Sequence, residues 1–305
     1  MVRYLPTLVV LALLGGTAAA FAVTEDLKLQ KSTIYHTAVD KIVAPDSLAH
    51  SRASVGFFLR KRERVTLEIV NGSGAIVRTL VRSKPALPGA HQLNWNGRDD
   101  AHDVVLDGTY RPQVHLAGEH RTIVLPNPIR MDATPPLVRL VSVAPRVFSP
   151  DGDFRNELVR IKYQTSEKSR AQLYVDGEPR TLVKRFLRVG KVDWGGRAAR
   201  RLRPGPHRIR LRALDLATNL GPPSRALTVF VRYVELRPHV LRVRTGRRFG
   251  VRVLTDAKRY AVHLGPLHAR RSGRVLVLRA PKPGRYVVRV AANGHTARAV
   301  LVVTR

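Results

Sequence analysis

The stretch Leu93-Asn94-Trp95-Asn96-Gly97-Arg98-Asp99, followed by Asp107-Gly108-Thr109-Tyr110, decides how this chain can fold. The dipeptides Asn96-Gly97 and Asp107-Gly108 reach positive φ at low cost, so each predicts a tight turn beside a strand. Trp95 is one of only two tryptophans and offers a large apolar surface with one N–H donor. The structural signature predicted for one β-domain is therefore Trp95, Gly97, Asp107, Gly108 and Tyr110.

The same pattern recurs around the second tryptophan, in Val192-Asp193-Trp194-Gly195-Gly196-Arg197. Upstream of it, Val147-Phe148-Ser149-Pro150-Asp151 likewise matches Ile42-Val43-Ala44-Pro45-Asp46 of the first copy. The two tryptophans lie 99 residues apart, which is about the length of one β-sandwich domain. The sequence therefore contains an internal repeat, with Trp194 as the second core anchor.

Alternating apolar residues run through the whole chain after position 41, the period of strands with one buried face. Val55, Phe57 and Leu59 show it early, and Phe249 and Val251 show it late. From position 236 onward, seven short strands separated by Gly, Pro and Asn turns predict a small third sandwich. A loop is predicted at positions 84–89, where two prolines interrupt strand propagation. We expect an all-β fold of tandem sandwiches.

The first copy resembles a known family, the immunoglobulin-like domain of flagellar hook-capping proteins, which also occurs in many exported bacterial proteins. The residues that carry the resemblance are Val65–Val70, Gly74–Leu80, Trp95–Asp99 and Asp107–Tyr110. The resemblance covers positions 54–116 and, more loosely, the second copy. It implies an immunoglobulin-like β-sandwich, and it implies neither enzyme activity nor a role in the flagellum.

The N-terminal segment from Tyr4 to Val23 is uncharged and mostly apolar, and it follows Arg3. About 20 apolar residues span a bilayer as a helix, which favours a signal anchor. Ala18-Ala19-Ala20 and Ala20-Phe21-Ala22 also fit the cleavage site of a signal peptide, so that alternative stays open. Both alternatives place the rest of the chain outside the cytoplasm, either on a single-pass membrane protein or as a secreted one.

The predicted domain order follows from these observations. Positions 1–23 are a signal anchor or signal peptide, and positions 24–41 are a polar spacer. Three immunoglobulin-like domains occupy 42–133, 134–235 and 236–305, and the last is the smallest. The predicted fold class is all-β, with tandem immunoglobulin-like β-sandwiches after an N-terminal hydrophobic helix.

A large excess of arginine gives the chain 54 basic against 22 acidic side chains and a formal charge of +32. Such a charge attracts polyanions. Arg208, Arg210 and Arg212 are expected on one face of a strand, with Ile209, Leu211 and Leu214 mostly on the other. Aromatic residues make up 6% of the chain and none interleaves these arginines, so platforms for single-stranded nucleic acid are missing. Solvated arginines are the first interpretation, and a polyanion surface is the second.

The loop Asp151-Gly152-Asp153-Phe154-Arg155-Asn156-Glu157 contains the candidate metal ligands Asp151, Asp153, Asn156 and Glu157. Calcium takes about six to eight oxygen ligands, and carboxylates alternating around a glycine can supply some of them. The spacing does not match a twelve-residue calcium loop, so a structural Asx-type turn is favoured over calcium. No cofactor is expected, and the chain has no cysteine for thiolate metal sites.

These features favour a non-enzymatic role, because no catalytic motif accompanies them. We expect a structural or adhesive stalk at the cell envelope that presents surfaces for a protein or polymer. The alternative is a basic surface protein that binds polyanions, with acidic wall polymer favoured over nucleic acid. The expected partners are thus an envelope protein or an acidic surface polymer, and the membrane through the N-terminal helix.

Overall fold

The computed structural model describes residues 5–29, 32–47, 49–195 and 202–305. By its internal contacts the chain divides into two compact units, with the boundary between Ala133 and Thr134. Strands are the predominant secondary structure of both units, in agreement with the all-β prediction.

The N-terminal apolar run forms helix α1 (Leu5–Leu29), although the run's first residue, Tyr4, lies outside the described residues. The helix continues past Val23 through charged residues, among them Glu25 and Asp26. The predicted change from an apolar segment to a polar spacer at 23/24 is therefore not a structural boundary. Within the described residues, no helix combines the length and apolar character needed to cross a bilayer.

Nine strands and one 3₁₀ turn (Ala117–Glu119) form the first unit. The strands are β1 (Ile34–Val39), β2 (Ile42–Val43), β3 (Ala53–Leu59), β4 (Glu63–Val70), β5 (Ile76–Ala86), β6 (Gly89–Trp95), β7 (Gly108–Leu116), β8 (Arg121–Val124) and β9 (Ile129–Met131). One sheet has the order β1-β3-β6, and the other has the order β2-β9-β7-β4-β5 with β8 paired to β7. Side chains from both sheets share one apolar core, so the unit is a β-sandwich.

Two predicted segments of the first unit differ from the structure. Strand β1 lies inside the predicted spacer 24–41, and it pairs with β3 by placing Ile34 opposite Leu59 in the core. The spacer prediction is wrong there because isolated apolar residues at 34–39 gave too little alternation to reveal a strand. The predicted loop at 84–89 is wrong as well, since β5 continues through Pro85. Strand β5 is a sheet edge, where a missing N–H donor is tolerated.

Trp95 ends strand β6 and is completely buried in the core of the first unit. Its ring centroid lies 5.1 Å from that of Tyr110, and its Nε1 donates a hydrogen bond of 2.9 Å to the Arg98 carbonyl. The buried indole N–H is therefore satisfied by the turn that follows the strand.

That turn needs glycine at position 97, where φ is +72°. A Cβ atom at Gly97 would lie only 2.9 Å from both Met131 Sδ and Pro45 Cγ. The second turn is tied to the end of the unit, because Asp107 Oδ1 accepts a hydrogen bond of 2.6 Å from the Ala133 backbone N–H. The signature residues thus join the middle of the domain to both of its ends.

Fifteen strands form the second unit, which contains two sandwiches with separate cores. The first of these sandwiches has β10 (Val138–Ala144), β11 (Val147–Phe148), β12 (Leu158–Val175), β13 (Glu178–Leu182), β14 (Leu187–Gly195), β15 (Gly205–Leu214) and β16 (Leu227–Val231). The last sandwich has β17 (Val234–Arg237), β18 (Val240–Arg244), β19 (Arg248–Thr255), β20 (Tyr260–Leu264), β21 (Leu267–Arg271), β22 (Val275–Arg279), β23 (Gly284–Ala292) and β24 (His295–Thr304).

Strand β12 connects both halves of the middle sandwich. Its first part pairs with β10 and β14, and its second part pairs with β13 and β15. The ladder shifts register between Gln164 and Ser169. The buried hydroxyls of Thr165 and Ser169 both donate to the Glu167 carbonyl there, at 2.6 and 3.1 Å. One 18-residue strand therefore turns a corner of the sandwich and supplies core side chains to both sides.

Trp194 packs in this middle sandwich, with 7% of its surface exposed and its ring centroid 5.1 Å from that of Phe148. The repeat around it extends to Gly196 and Arg197, which lie outside the described residues. In the last sandwich, sheets β17-β19-β22 and β18-β24-β23-β20-β21 enclose a separate core. That sandwich has eight strands, one more than predicted.

A short parallel strand pair recurs in all three sandwiches. Strand β2 pairs with β9, β11 with β16, and β18 with β24. In each case the second strand of the sandwich lies parallel to its last strand. This shared topology supports the internal repeat predicted from the two tryptophans, and it extends the repeat to the third domain.

Candidate functional site

The basic face predicted on the middle sandwich is built by strand β15. Ile209, Leu211 and Ala213 are fully buried, while Arg208 and Arg210 between them are exposed. Arg212 shares this outward register but is only half-exposed. The three arginines therefore lie on one face as predicted. Leu214 lies on that same face instead of the opposite one, because the strand alternates without interruption up to it.

The neighbouring strand β12 places an aromatic residue among these arginines. Tyr174 is the cross-strand partner of Arg210, and Gln172 is the partner of Arg212. Directly opposite side chains in an antiparallel pair lie about 4.5–5.5 Å apart at Cβ. The prediction that no aromatic residue lies among these arginines is therefore wrong. Tyr174 belongs to a neighbouring strand more than thirty residues earlier, so the sequence around the arginines does not reveal it.

A cleft of about 480 Å³ lies on this face. Its lining residues are Tyr174, Asp176, Gly177, Arg208, Arg210, Arg212 and Pro223. We call it the Tyr174 cleft. Arg212 is held in place because its Nε donates 2.8 Å to the Gly221 carbonyl and its Nη2 donates 3.3 Å to the Leu220 carbonyl. Within the described residues, the guanidinium groups of Arg208 and Arg210 make no hydrogen bond and no ion pair.

The single carboxylate of the cleft, Asp176, is already engaged. Its Oδ1 accepts 2.7 Å from the Arg208 backbone N–H, and its Oδ2 lies 2.7 Å from His207 Nδ1. Burial works against ionisation of Asp176, but the Arg208 amide, His207 and the charge of Arg180 outweigh it and lower the pKa of this carboxyl group. Asp176 therefore stays ionised while the cleft keeps a net positive lining.

The other arginines noted on exposed strands do not join this surface. Arg242 and Arg244 extend outward from β18 in the five-stranded sheet of the last sandwich. Arg252 extends from β19 in the opposing sheet, where it lines a shallow cavity of about 850 Å³ with Arg237 and His239. The basic charge is thus spread over several faces, and the Tyr174 cleft combines it with an aromatic ring.

The acidic loop between β11 and β12 is closed by its own hydrogen bonds. Asp151 Oδ2 accepts 2.9 Å from the Ser149 hydroxyl, and Asp153 Oδ1 accepts 2.8 Å from the Arg155 backbone N–H. Glu157 Oε1 accepts 3.0 Å from the Phe154 backbone N–H. The Asp153 contact is of the Asx type, and Glu157 is engaged by the Phe154 backbone N–H.

A residue of the last sandwich joins this loop. Potential ligand atoms of Asp151, Asp153 and Asp256 all lie within 4.8 Å of one another. Asn156 also contacts this group, since its Nδ2 donates 3.3 Å to Asp256 Oδ2. Burial raises the pKa of Asp256, and the charges of Asp153 and Asp151 raise it further. The three carboxylates could hold a hard cation such as calcium, or one of them could be protonated.

We call this contact between the acidic loop and the last sandwich the junction. It also contains an amide side chain that the sequence analysis does not predict. Asn293, in the turn between β23 and β24, donates from Nδ2 to Asp151 Oδ2 at 3.1 Å and to Asp153 Oδ2 at 3.0 Å. Asp256 Oδ1 is inaccessible to solvent and has no hydrogen-bond partner among the described residues. Asp256 and Asn293 lie more than a hundred positions from Asp151 in the sequence, so no local spacing could have indicated them.

Comparisons with known proteins give structural neighbours only. No family model matches the chain, and no curated protein matches it. An I-band fragment of titin aligns with 90% of this chain and 99% of its own, at 12% identity and a TM-score of 0.35. The fibronectin(III)-like modules of Clostridium thermocellum CbhA align with 31% of this chain and 95% of their own, at 24% identity and a TM-score of 0.23.

The human OSCAR ligand-binding domain aligns with 65% of this chain and 100% of its own, at 12% identity and a TM-score of 0.33. The β-sandwich class of this chain rests on its own sheet topology. None of the three is a hook-capping protein, so the finer resemblance stays a prediction.

Proposed function

We propose that this chain is a non-enzymatic structural or adhesive protein on the outer side of a cell membrane, whose sandwiches present binding surfaces to a protein or polymer. The observation that carries the proposal is the polar junction inside the second unit. Asn293 bonds to Asp151 and Asp153 across it, and the ring of Tyr233 stacks on that of His295 at 3.6 Å. Such contacts hold the middle and last sandwiches in a fixed arrangement, which suits a scaffold.

The extracytoplasmic location is proposed from Arg3 and the apolar run that follows it. Because the chain contains no cysteine, single cysteines can report exposure on living cells. Arg244→Cys places a thiol on an exposed strand, and Val262→Cys places one in a fully buried position as the control. A membrane-impermeant maleimide should label the first variant on intact cells and not the second. Labelling of Arg244→Cys only after lysis would contradict the proposal.

Whether the mature protein retains the N-terminal segment distinguishes a signal anchor from a cleaved signal peptide. If the segment is an anchor, intact native protein retains positions 1–23 and sediments with membranes. If it is a cleaved signal, the mature chain begins between Phe21 and Val23, and the protein is recovered in soluble form. Intact-mass measurement of native protein decides between them. Full-length protein in the cytosolic fraction would rule out both.

A second candidate function, polyanion binding, is favoured by the guanidinium groups of Arg208 and Arg210, which have no partner among the described residues. Binding driven by counterion release makes the logarithm of affinity fall linearly with the logarithm of salt concentration. Replacing both residues with alanine should flatten that slope by about 0.7–0.9 for each phosphate that the protein no longer neutralises. Arg212 is left unchanged because its guanidinium group bonds to backbone carbonyls.

The matched control is the Arg242→Ala, Arg244→Ala double variant, which removes the same charge from a different exposed strand. Both variants should keep the unfolding free energy within about 0.5 kcal/mol of the wild type, because the side chains are exposed. Equal salt dependence of affinity in the two double variants would mean that the overall charge of the protein, and not this face, attracts the polyanion. An unchanged affinity and slope in the Arg208, Arg210 variant would end the polyanion hypothesis for this face.

A further inference from the structure

We propose that the Tyr174 cleft binds one carboxylated sugar residue, a hexuronate, within an acidic polysaccharide. The proposal rests on the polyanion-binding function of this face and specifies its ligand. It differs from diffuse charge attraction, because it assigns separate tasks to an aromatic ring, to the guanidinium groups of Arg210 and Arg212, and to one carboxylate. Each of these groups comes from β12, β15 or the chain next to them.

The first task is to provide an apolar surface for the face of a sugar ring. The hydroxyl of Tyr174 donates 3.2 Å to Gln172 Oε1, two residues earlier on the same strand, so the ring is directed along β12. Tyr174 makes no ring-stacking or cation–π contact within the described residues. Pro223 lines the same cleft and supplies a second apolar surface. Ligand sites commonly combine such aromatic and apolar lining with a few polar groups.

The second task is to bind a carboxylate. A guanidinium group presents paired N–H donors that match the two oxygens of a carboxylate. Arg210 lies directly opposite Tyr174 in the ladder, so an anion bound there lies next to the ring. Arg212 is already fixed by the carbonyls of Gly221 and Leu220, which lowers the conformational entropy lost on binding.

The third task is to distinguish a sugar acid from a simple phosphate chain. Asp176 lines the cleft and remains ionised, so its oxygens repel a densely charged anion but can accept hydrogen bonds from sugar hydroxyls. The internal phosphates of a polyphosphate chain are ionised near neutral pH and offer no hydroxyl group to Asp176. The cleft volume of about 480 Å³ falls within the range of about 300–1,000 Å³ that is usual for small-ligand sites. The lining therefore fits a hydroxylated monoanion better than it fits a polyphosphate.

The experiment measures binding of the full chain to polygalacturonate, dextran and polyphosphate by titration calorimetry at fixed ionic strength. Tyr174→Ala should weaken polygalacturonate binding about fivefold or more, while Tyr174→Phe stays within about twofold of the wild type. Arg210→Lys retains the charge but loses the paired donors, and it should weaken polygalacturonate binding about tenfold. Polyphosphate binding should change little in all three variants, and dextran should not bind. Arg242→Ala is the control for loss of one exposed arginine.

Each other outcome is decisive. If Tyr174→Ala leaves polygalacturonate binding unchanged, the cleft is not a sugar site, even if Arg210→Lys weakens binding. If polyphosphate binds and polygalacturonate does not, this inference fails while polyanion binding stands. If neither polymer binds, the polyanion function of this face fails together with the inference. A folded state of each variant is verified by its near-ultraviolet circular dichroism, which reports the packing of Trp95 and Trp194.

Discussion

Asn293 of the last sandwich donates two side-chain hydrogen bonds to carboxylates of the middle sandwich, at 3.1 Å to Asp151 and 3.0 Å to Asp153. The middle sandwich ends at Val231 with β16, and the last begins at Val234 with β17. There is no room for a flexible linker between them. Polar contacts at this junction should therefore influence the stability of both sandwiches together.

The first prediction replaces the amide at this junction with a carboxylate. Asn293 has a φ of +48°, a conformation that aspartate also tolerates. Asn293→Asp keeps the shape of the turn but removes the N–H donor and adds a charge beside Asp151 and Asp153. The variant should melt at a lower temperature at pH 7 and recover towards the wild type as the pH falls below about 4.

The control for this change is Asn96→Asp, at an Asn-Gly turn of the first unit. Asn96 Oδ1 accepts a hydrogen bond from the Arg98 backbone N–H, and a carboxylate can still accept it. Calorimetry should show almost no change in melting temperature for this control. An equal decrease in melting temperature in both variants would indicate an effect of the turn sequence and not of the contacts at the junction.

The second prediction concerns the raised pKa of Asp256, which results from burial and from the charges of Asp153 and Asp151. A carboxyl group with a pKa higher in the folded state binds protons more readily when folded, so folding is favoured as the pH falls through that pKa. Above it, the ionised group costs stability. Asp256→Asn should therefore raise the melting temperature at pH 7, and the gain should disappear below about pH 4.

The third prediction is that calcium removal leaves the junction intact. Asp151 and Asp153 are already bonded to Ser149, Asn293 and backbone N–H groups. A chelator such as EDTA should therefore leave the melting temperature of the purified protein unchanged. A melting temperature that falls with EDTA, returns with calcium and no longer responds in Asp256→Asn would show instead that these carboxylates hold a cation.

The fourth prediction concerns the core of the first unit. Trp95→Ala removes a fully buried ring next to Tyr110, and such changes cost about 3–5 kcal/mol. Trp194 then remains as the only tryptophan and reports on the second unit by fluorescence. The first unit should unfold at lower denaturant concentration by circular dichroism, while the Trp194 transition keeps its midpoint. A shift of both transitions by the same amount would mean that the two units unfold together.

The fifth prediction concerns an unsatisfied hydroxyl. Tyr163 is fully buried, and its hydroxyl has no hydrogen-bond partner among the described residues. Removing a buried donor that makes no bond is neutral or stabilising, so Tyr163→Phe should not lower the unfolding free energy. Gly190→Ala should lower it by about 1–3 kcal/mol, because the new Cβ would overlap the Tyr163 ring. A large decrease in unfolding free energy in Tyr163→Phe would indicate that the hydroxyl bonds to a partner outside the protein, such as a buried water molecule.

Local sequence was sufficient for the features that depend on neighbours in the chain. The turn glycine at 97, the burial of both tryptophans and the alternation that buries Ile209 and Leu211 all follow from short-range pattern and side-chain size. The strand at 34–39 was missed because its pairing with β3, not its own pattern, stabilises it.

The candidate sites depend on contacts between distant positions, and sequence alone gives no register for them. Tyr174 faces Arg210 only because β12 pairs with β15 in one particular alignment. Asp256 and Asn293 reach Asp151 only because two sandwiches pack against each other. In each case the alternation of one strand shows which side chains point outward, but the partner strand decides what they meet.

The parallel strand pairs that close each sandwich have a mechanical consequence. A force that pulls on the two ends of a sandwich acts along such a pair, so its hydrogen bonds are loaded in shear and must break together instead of one after another. The pairs differ in length, since β18 and β24 align five residues whereas β2 and β9, like β11 and β16, align two. Under tension, the last sandwich should therefore be the most resistant to extension.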